Sequence, residues 1–324
     1  MRPLALLLFL CACSSLASED QTRLTAYQRN AQLFFDGGKW SQAMTQIERG
    51  LELAPDDYKL NSMKGGILLL ASGDAQGTDH KKLDEATALL AEQFDTRSVG
   101  RHEPHLLLNY GLALQKQGLR HLGEAVRLEG QLQRTPAGDP ATTMREQATK
   151  ERGEAGDLLQ RADDLLAELV SRGEMLRLAH NHRLQIALQR GDEAGFARES
   201  TAYLEQAEKA QTLTRQRLEK TQNIDYENEQ LAVLRQLRDE ELRVRALIAE
   251  FHYSRRQFAP ALVQLNKVLE IDPGRFIDYY NRGRVLLELG RAEDAKQDFR
   301  RFLADPSIPT TSDKAVFALK AIDR

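Results

Sequence analysis

The dominant pattern along the chain is helical, with apolar residues that return every three or four positions. Between Leu158 and Leu169, leucine and alanine recur at this spacing and would lie on one face of a helix. The stretch from 225 to 254 repeats the pattern with Leu231, Leu234 and Leu237. Leu and Ala greatly outnumber the β-branched Val and Ile, which strands prefer. The sequence therefore predicts an all-α fold.

Two similar segments mark an internal repeat. Residues 38–55 read GKWSQAMTQIERGLELAP, and residues 256–273 read RQFAPALVQLNKVLEIDP. Each has an aromatic residue, an alanine three positions later, and a terminal proline that ends a helix. Ala261 and Ala295 are separated by 34 residues. This pattern resembles the tetratricopeptide repeat, a helix-turn-helix unit of 34 residues.

The resemblance implies a solenoid of stacked helical hairpins, with longer irregular helices in the middle of the chain. One hairpin cannot bury its apolar face alone, so neighbouring hairpins complete the core. Two helices that cross closely need a small residue at the crossing. The small residues expected at these crossings are Ala31, Ala43, Gly65, Ala86, Gly111, Ala249, Ala261, Gly283 and Ala295.

The array itself divides into three regions after the N-terminal leader. Residues 24–136 are expected to form three repeat units. The third unit, 104–136, is expected to have two helices, and its second helix carries Ala125 and ends at Pro136. Residues 137–241 form a long-helix region that is either a set of degenerate repeats or an inserted hairpin. Residues 242–324 form a pair of repeats sealed by a capped amphipathic helix after Ser312.

The pattern predicts four helices in the long-helix region, and the last of them extends into the C-terminal pair of repeats. Their approximate bounds are 140–171, 174–190, 194–222 and 225–254.

The leader, residues 1–12, has the pattern of a signal peptide. An apolar run of nine residues follows Met1 and Arg2, and a spanning helix needs roughly 20. Leu10-Cys11-Ala12-Cys13 resembles the bacterial lipobox, which implies cleavage before Cys13 and its acylation with fatty acid such as palmitate. Residues 13–23 would then be the lipidated cysteine and a short tether.

By the same resemblance, Ser14 in place of Asp after the lipidated cysteine implies the outer membrane, facing the periplasm. Two other interpretations stay open. Ser15-Leu16-Ala17 fits ordinary signal peptidase, which would release a soluble secreted protein. Alternatively, the segment is a disordered leader of a cytosolic protein.

The charge balance argues against a nucleic-acid partner, because 45 Lys and Arg face 48 Asp and Glu, for a net charge of −3. The chain has two cysteines, and cleavage before Cys13 would leave one, so no disulfide is expected within the mature chain. The sequence also lacks the motifs of a serine or cysteine nucleophile and of a phosphate-binding loop. No catalytic residue and no cofactor are predicted.

Two histidine pairs have a short spacing that could bring metal ligands together. Pro104 interrupts the pair His102 and His105, and it favours a helix entry with His105 on an exposed face. His180 and His182 lie two positions apart on a predicted helix, where side chains face apart. Neither pair predicts a metal site.

In tetratricopeptide arrays the first helices of successive units line a concave groove, so the resemblance implies a site for a protein or peptide partner. The aromatic and charged groups at these positions suit binding anchors, although Phe35 and Tyr253 have the alternative of packing between units. Some family members hold a C-terminal carboxylate with Lys and Asn, and Gln28 and Gln32 argue against that mode in the first unit. The groove positions are Gln28, Gln32, Phe35, Asp36, Glu250, Tyr253, Tyr280, Arg284 and Glu288.

Together these patterns favour a non-catalytic, membrane-anchored envelope lipoprotein that serves as a scaffold in assembly of an envelope complex. A soluble secreted adaptor and the docking module of an enzyme are the alternatives.

Overall fold

The computed structural model describes residues 18–73, 77–96 and 102–323, which fold as α-helices joined by short loops. Thirteen helices and no strand occur within these ranges, so the all-α prediction is confirmed. The signal peptide and Cys13 lie outside the described residues. Residues 18–23 of the predicted tether belong to the first helix. The helices are α1 (Ser18–Asp36), α2 (Trp40–Leu53), α3 (Tyr58–Ala71), α4 (His80–Asp95), α5 (Pro104–Leu132), α6 (Asp139–Ser171), α7 (Leu176–Arg190), α8 (Glu193–Lys220), α9 (Ile224–Ser254), α10 (Phe258–Ile271), α11 (Phe276–Glu288), α12 (Ala292–Leu303) and α13 (Asp313–Ile322).

The chain forms two compact units that meet in sequence between Met175 and Leu176. The N-terminal unit consists of the hairpins α1–α2, α3–α4 and α5–α6, and the C-terminal unit of α7–α8, α9–α10 and α11–α12, followed by α13. The predicted boundary after 136 lies in the loop between α5 and α6, and the one after 241 lies within α9.

The third hairpin differs from its prediction. We expected two helices between 104 and 136, and this was wrong, because α5 runs unbroken from Pro104 to Leu132 and its partner is α6. Gly118 does not end a helix here. A Cβ at Gly118 would lie 2.9 Å from Cγ of Leu159, so the glycine allows α6 to approach α5.

The helices of the long-helix region lie close to their predicted bounds. The break at Gly191 and Asp192 is present, and it is stabilised locally. Gly191 has φ +69°, a conformation that suits glycine. The Asp192 carboxylate caps α8 by accepting a hydrogen bond from the Gly195 amide at 2.9 Å.

Small residues lie buried where the helices of a hairpin cross. Ala31 and Ala43 share one apolar core with Ile47, and Ala249 and Ala261 share another with Leu265. At the glycine positions a side chain of the partner helix fills the space: Leu90 beside Gly65, Leu166 beside Gly111 and Phe299 beside Gly283. Ala86 and Ala295 are fully buried. All nine predicted crossing residues are therefore buried.

The C-terminal end is covered by α13, as the sequence predicts. The Ser312 hydroxyl accepts a hydrogen bond from the Ala315 amide at 3.3 Å, which caps the helix. Ala315 and Ala318 on its inner face are fully buried, and Ala318 joins the core around Phe299.

Candidate partner-binding clefts

The C-terminal unit contains a cleft of about 750 Å³ between α9, α11 and the start of α13. Its lining combines aromatic and small apolar groups with four cations and a single carboxylate, Glu250. The cations are Arg243, Arg275, Arg284 and Lys314. The cleft thus has a concave shape and a positive charge.

Four of the five groove residues predicted for this half of the chain come together in this cleft. They are Glu250 and Tyr253 on α9, and Tyr280 and Arg284 on α11. The fifth, Glu288, is exposed at the end of α11 and is not among the lining residues. Equivalent faces of successive first helices therefore do share one surface here.

Arg284 is held in position by the two tyrosines. Its Nη2 donates a hydrogen bond to the Tyr253 hydroxyl at 2.8 Å. Its guanidinium carbon lies 4.6 Å from the ring centroid of Tyr253 and 5.9 Å from that of Tyr280, within the range of cation–π attraction. A guanidinium has five N–H donors, and the Tyr253 hydroxyl accepts from one of them. Arg284 is thereby positioned to meet an anionic group.

The Tyr280 ring packs in a group of aromatic side chains at the base of the cleft. Its ring centroid lies 5.1 Å from Phe302, 6.0 Å from Phe299 and 6.0 Å from Phe317. Burial raises the pKa of the Tyr280 hydroxyl, and the charge of Arg284 opposes part of this rise. Tyr280 is therefore neutral near pH 7. It adds no negative charge that would offset the cations of the cleft.

Tyr253 packs against the other helix of its own hairpin and also lines the cleft. Its ring packs edge-on against Phe258 of the neighbouring helix α10, with centroids 5.7 Å apart. The same side chain lines the cleft and binds Arg284. Packing between helices and presentation to a partner are compatible at this position.

Sequence reasoning missed three of the four cations. Arg243 precedes Glu250 by seven residues, or two helical turns, which places both on one face of α9, and this signal was available. Lys314 belongs to a helix interpreted only as a cap. Arg275 lies in the turn before α11, and its Nε binds the buried carboxylate of Asp278 at 2.6 Å.

A smaller cleft of about 130 Å³ lies in the N-terminal unit, between α1, α3 and α5. Two of the predicted groove positions, Gln32 and Phe35, line it. The Phe35 ring also packs edge-on against Trp40 at 5.3 Å and His105 at 6.5 Å. Gln28 is not among the lining residues, and its amide donates to the Asp57 carboxylate at 2.6 Å. Asp36 is the last residue of α1.

The two histidine pairs do not gather ligands. His105 is exposed at the start of α5, whereas His102 is buried and stacks on Phe94 with ring centroids 4.1 Å apart. His180 donates from Nδ1 to the Glu199 carboxylate at 2.7 Å. Burial lowers the pKa of His182 to about 4, so this ring is neutral at pH 7. His102 and His180 therefore contact an aromatic ring and a carboxylate of the protein, and neither pair forms a metal site.

Among the described residues, none of the helices combines the length and apolar character needed to cross a bilayer.

No protein-family model matches the sequence, and no curated protein matches it. Several solved structures align with this chain over most of their length. A tetratricopeptide repeat protein from Parabacteroides merdae is 14% identical, with 94% of this chain and 100% of that chain covered and a TM-score of 0.35. Nro1, a nuclear import adaptor, is 11% identical, with 94% of both chains covered and a TM-score of 0.49.

The TPR2AB domain of yeast Sti1, solved as a complex with pHSP90, is 11% identical, with 94% of this chain and 98% of that chain covered and a TM-score of 0.28. Identities of 11–14% and TM-scores below 0.5 carry no argument about the function of this chain. Function is therefore inferred from the residues of this chain.

Proposed function

We propose that this protein is a non-catalytic scaffold that binds an acidic, extended segment of a partner protein in the cleft between α9, α11 and α13. The observation that carries this proposal is the composition of the cleft, in which two tyrosines and four cations, of which only Arg275 is paired with a buried carboxylate in an ion pair described above, accompany a single lining carboxylate. The absence of nucleophile and phosphate-loop motifs from the sequence supports a binding role over a catalytic one.

The chemistry of the cleft favours carboxylates as the groups recognised. Arginine binds carboxylates through paired, charge-assisted hydrogen bonds, which are stronger than neutral ones. Arg284 is oriented in advance by Tyr253, so less side-chain entropy is lost when a ligand binds. The exposed Arg243 and Lys314 add positive charge at the rim, which accelerates the approach of an acidic segment.

The Arg284→Gln variant should bind an acidic peptide at least about tenfold more weakly than the wild type, or about 1.4 kcal/mol. The substitution removes the oriented charge and retains much of the side-chain length. A fluorescent peptide with alternating Glu and Leu residues is a suitable probe, measured by polarisation at low and high salt.

The matched control is Arg300→Gln, which removes one positive charge from an exposed position on α12. This control should bind as the wild type does. Equal affinities of the wild type and Arg284→Gln, or equal binding of a Lys-rich peptide, would count against the cleft as a site for acidic segments.

We propose further that the scaffold acts at the bacterial envelope, anchored through an acylated Cys13 and facing the periplasm from the outer membrane. The lipobox-like residues around Cys13 and the serine that follows support this. A single acyl chain binds a membrane weakly and several chains bind it stably, so a fully acylated cysteine suffices as an anchor.

In bacteria fed radiolabelled palmitate, the wild-type protein should incorporate label and Cys13→Ser should incorporate none. Cys11→Ser is the matched control and should retain the label, because the lipobox pattern places Cys11 before the cleavage site. Mass spectrometry of the mature N-terminus separates the alternatives: an N-terminus at Ser18 would replace the lipoprotein with a soluble secreted adaptor.

A further inference from the structure

A cluster of three potential metal ligands lies between α5 and α6, and none of the three lines either cleft. His121 on α5 faces Glu151 and Glu154 on α6. Its Nδ1 lies 2.7 Å from Oε2 of Glu151 and 3.2 Å from Oε2 of Glu154. The three ligand atoms lie within 4.8 Å of one another, and all three residues are partly buried.

The local charges leave this cluster short of positive charge. Glu151 and Glu154 are three positions apart on one helix, where like charges repel, and both carboxylates approach the same nitrogen. A histidine nitrogen carries at most one proton, so it can donate a good hydrogen bond to only one of the two. Lys150 approaches Glu154 at 3.6 Å from an exposed position. A divalent cation would satisfy both carboxylates and the imidazole at once.

The spacing also suits an ion. Zinc binds histidine nitrogen and carboxylate oxygen at about 2.0–2.2 Å in tetrahedral geometry, which separates neighbouring ligand atoms by about 3.3 Å. The observed separations from Nδ1 to the two oxygens are 2.7 and 3.2 Å, so the first needs to lengthen by about 0.6 Å and the second by about 0.1 Å. One histidine and two carboxylates on facing helices of a hairpin form a ligand set that zinc accepts, with a fourth position left for water.

We propose that His121, Glu151 and Glu154 bind one Zn²⁺ ion, which links α5 to α6. Three glycines near the cluster bear on what a metal ion between α5 and α6 would do for stability. A Cβ at Gly123, Gly153 or Gly156 would meet no neighbouring atom within 4 Å. No close approach of the facing helix therefore requires a glycine at these positions. They weaken their helices by removing side chains that favour helix. A metal at this level would therefore join the two helices at a point where each is locally weakened by glycine.

Titration of the metal-free full chain with ZnCl₂ in a calorimeter should give one saturable ion per chain. Co²⁺, used as a spectroscopic substitute, should give the visible absorption of a tetrahedral site with nitrogen and oxygen ligands. Hydrogen exchange of backbone amides near 121 and 151 should slow at least about tenfold when Zn²⁺ saturates the site, because a ligand that binds only the folded form stabilises it.

His121→Gln and the double variant Glu151→Gln/Glu154→Gln should both lose the Co²⁺ spectrum and the zinc-dependent slowing of exchange. The matched control is Glu129→Gln, which removes a carboxylate paired with Arg152 on the same two helices, and which should behave as the wild type. Circular dichroism checks that each variant is folded. Absence of saturable binding by the wild type, or binding that survives His121→Gln, would overturn the assignment.

Discussion

Replacing Phe299 with alanine is expected to destabilise the C-terminal unit by about 3–5 kcal/mol, the usual cost of removing a buried aromatic side chain. Phe299 is fully buried, and its ring packs into the space left by Gly283 on the facing helix. The same ring lies next to Tyr280 and Phe317. Its loss would leave a cavity at the α11–α12 crossing and remove support from the floor of the larger cleft.

Urea unfolding followed by circular dichroism measures this change, and hydrogen exchange of α11 and α12 shows where it acts. Phe317→Ala is the matched control, because this ring belongs to the same aromatic group but is 42% exposed. It should cost much less than Phe299→Ala. Equal effects of the two variants would contradict the packing described for the α11–α12 crossing.

Replacing Glu199 with glutamine should also destabilise the C-terminal unit by about 3–5 kcal/mol, the range found when one partner of a buried ion pair is removed. The Glu199 side chain is only 3% exposed. Its two oxygens lie 2.7 Å from Nδ1 of His180 and 3.2 Å from Nη1 of Arg183. Glutamine would remove the negative charge that faces the partly buried Arg183 and His180.

The same cluster predicts a dependence on pH. Burial alone would raise the pKa of Glu199, but the hydrogen bond from His180 and the charge of Arg183 outweigh burial and lower it. The folded state therefore holds this carboxylate ionised at a pH where the unfolded state protonates it. The contribution to stability is complete above the ordinary glutamate pKa and is lost as the pH falls through the lowered value.

Urea unfolding of the wild type and Glu199→Gln, repeated at neutral and acidic pH, tests both statements. The difference between the two proteins should be large near pH 7 and should shrink in acid. Glu193→Gln is the matched control on the same helix, since this carboxylate is 63% exposed and pairs with Arg255 at the surface. Surface pairs contribute about 0–1 kcal/mol. A Glu199→Gln effect no larger than that of Glu193→Gln would show that the buried cluster contributes little.

The repeat pattern predicted the hairpins where local signals agree with the packing. At 40–53 and 258–271, an aromatic start, a crossing alanine and a terminal proline mark a helix from end to end. The prediction of two helices failed at 104–132, where α5 is continuous through Gly118, a residue type with two opposite effects on a helix. Glycine weakens an isolated helix, yet here it admits Leu159 and strengthens the contact with α6. Only the position of the facing helix decides between these effects.

The candidate sites show the same limit. Tyr253, Tyr280 and Arg284 could be placed on one surface because a repeat places equivalent residues on equivalent faces. Lys314 joins their cleft from α13, which is not a repeat, so no periodicity predicts its position. His121 and Glu151 are 30 residues apart, and they meet only because α5 and α6 are both much longer than a repeat helix.

The length of that third hairpin also has a practical consequence. At about 1.5 Å per residue, the 29 residues of α5 extend about 43 Å, roughly twice the length of the 14-residue α3. The loop at its far end, 133–138, is mostly exposed and connects only α5 and α6. Exposed loop tips tolerate inserted sequence. An epitope tag or fluorophore attached there would report on the protein in living cells without replacing any residue that lines a cleft.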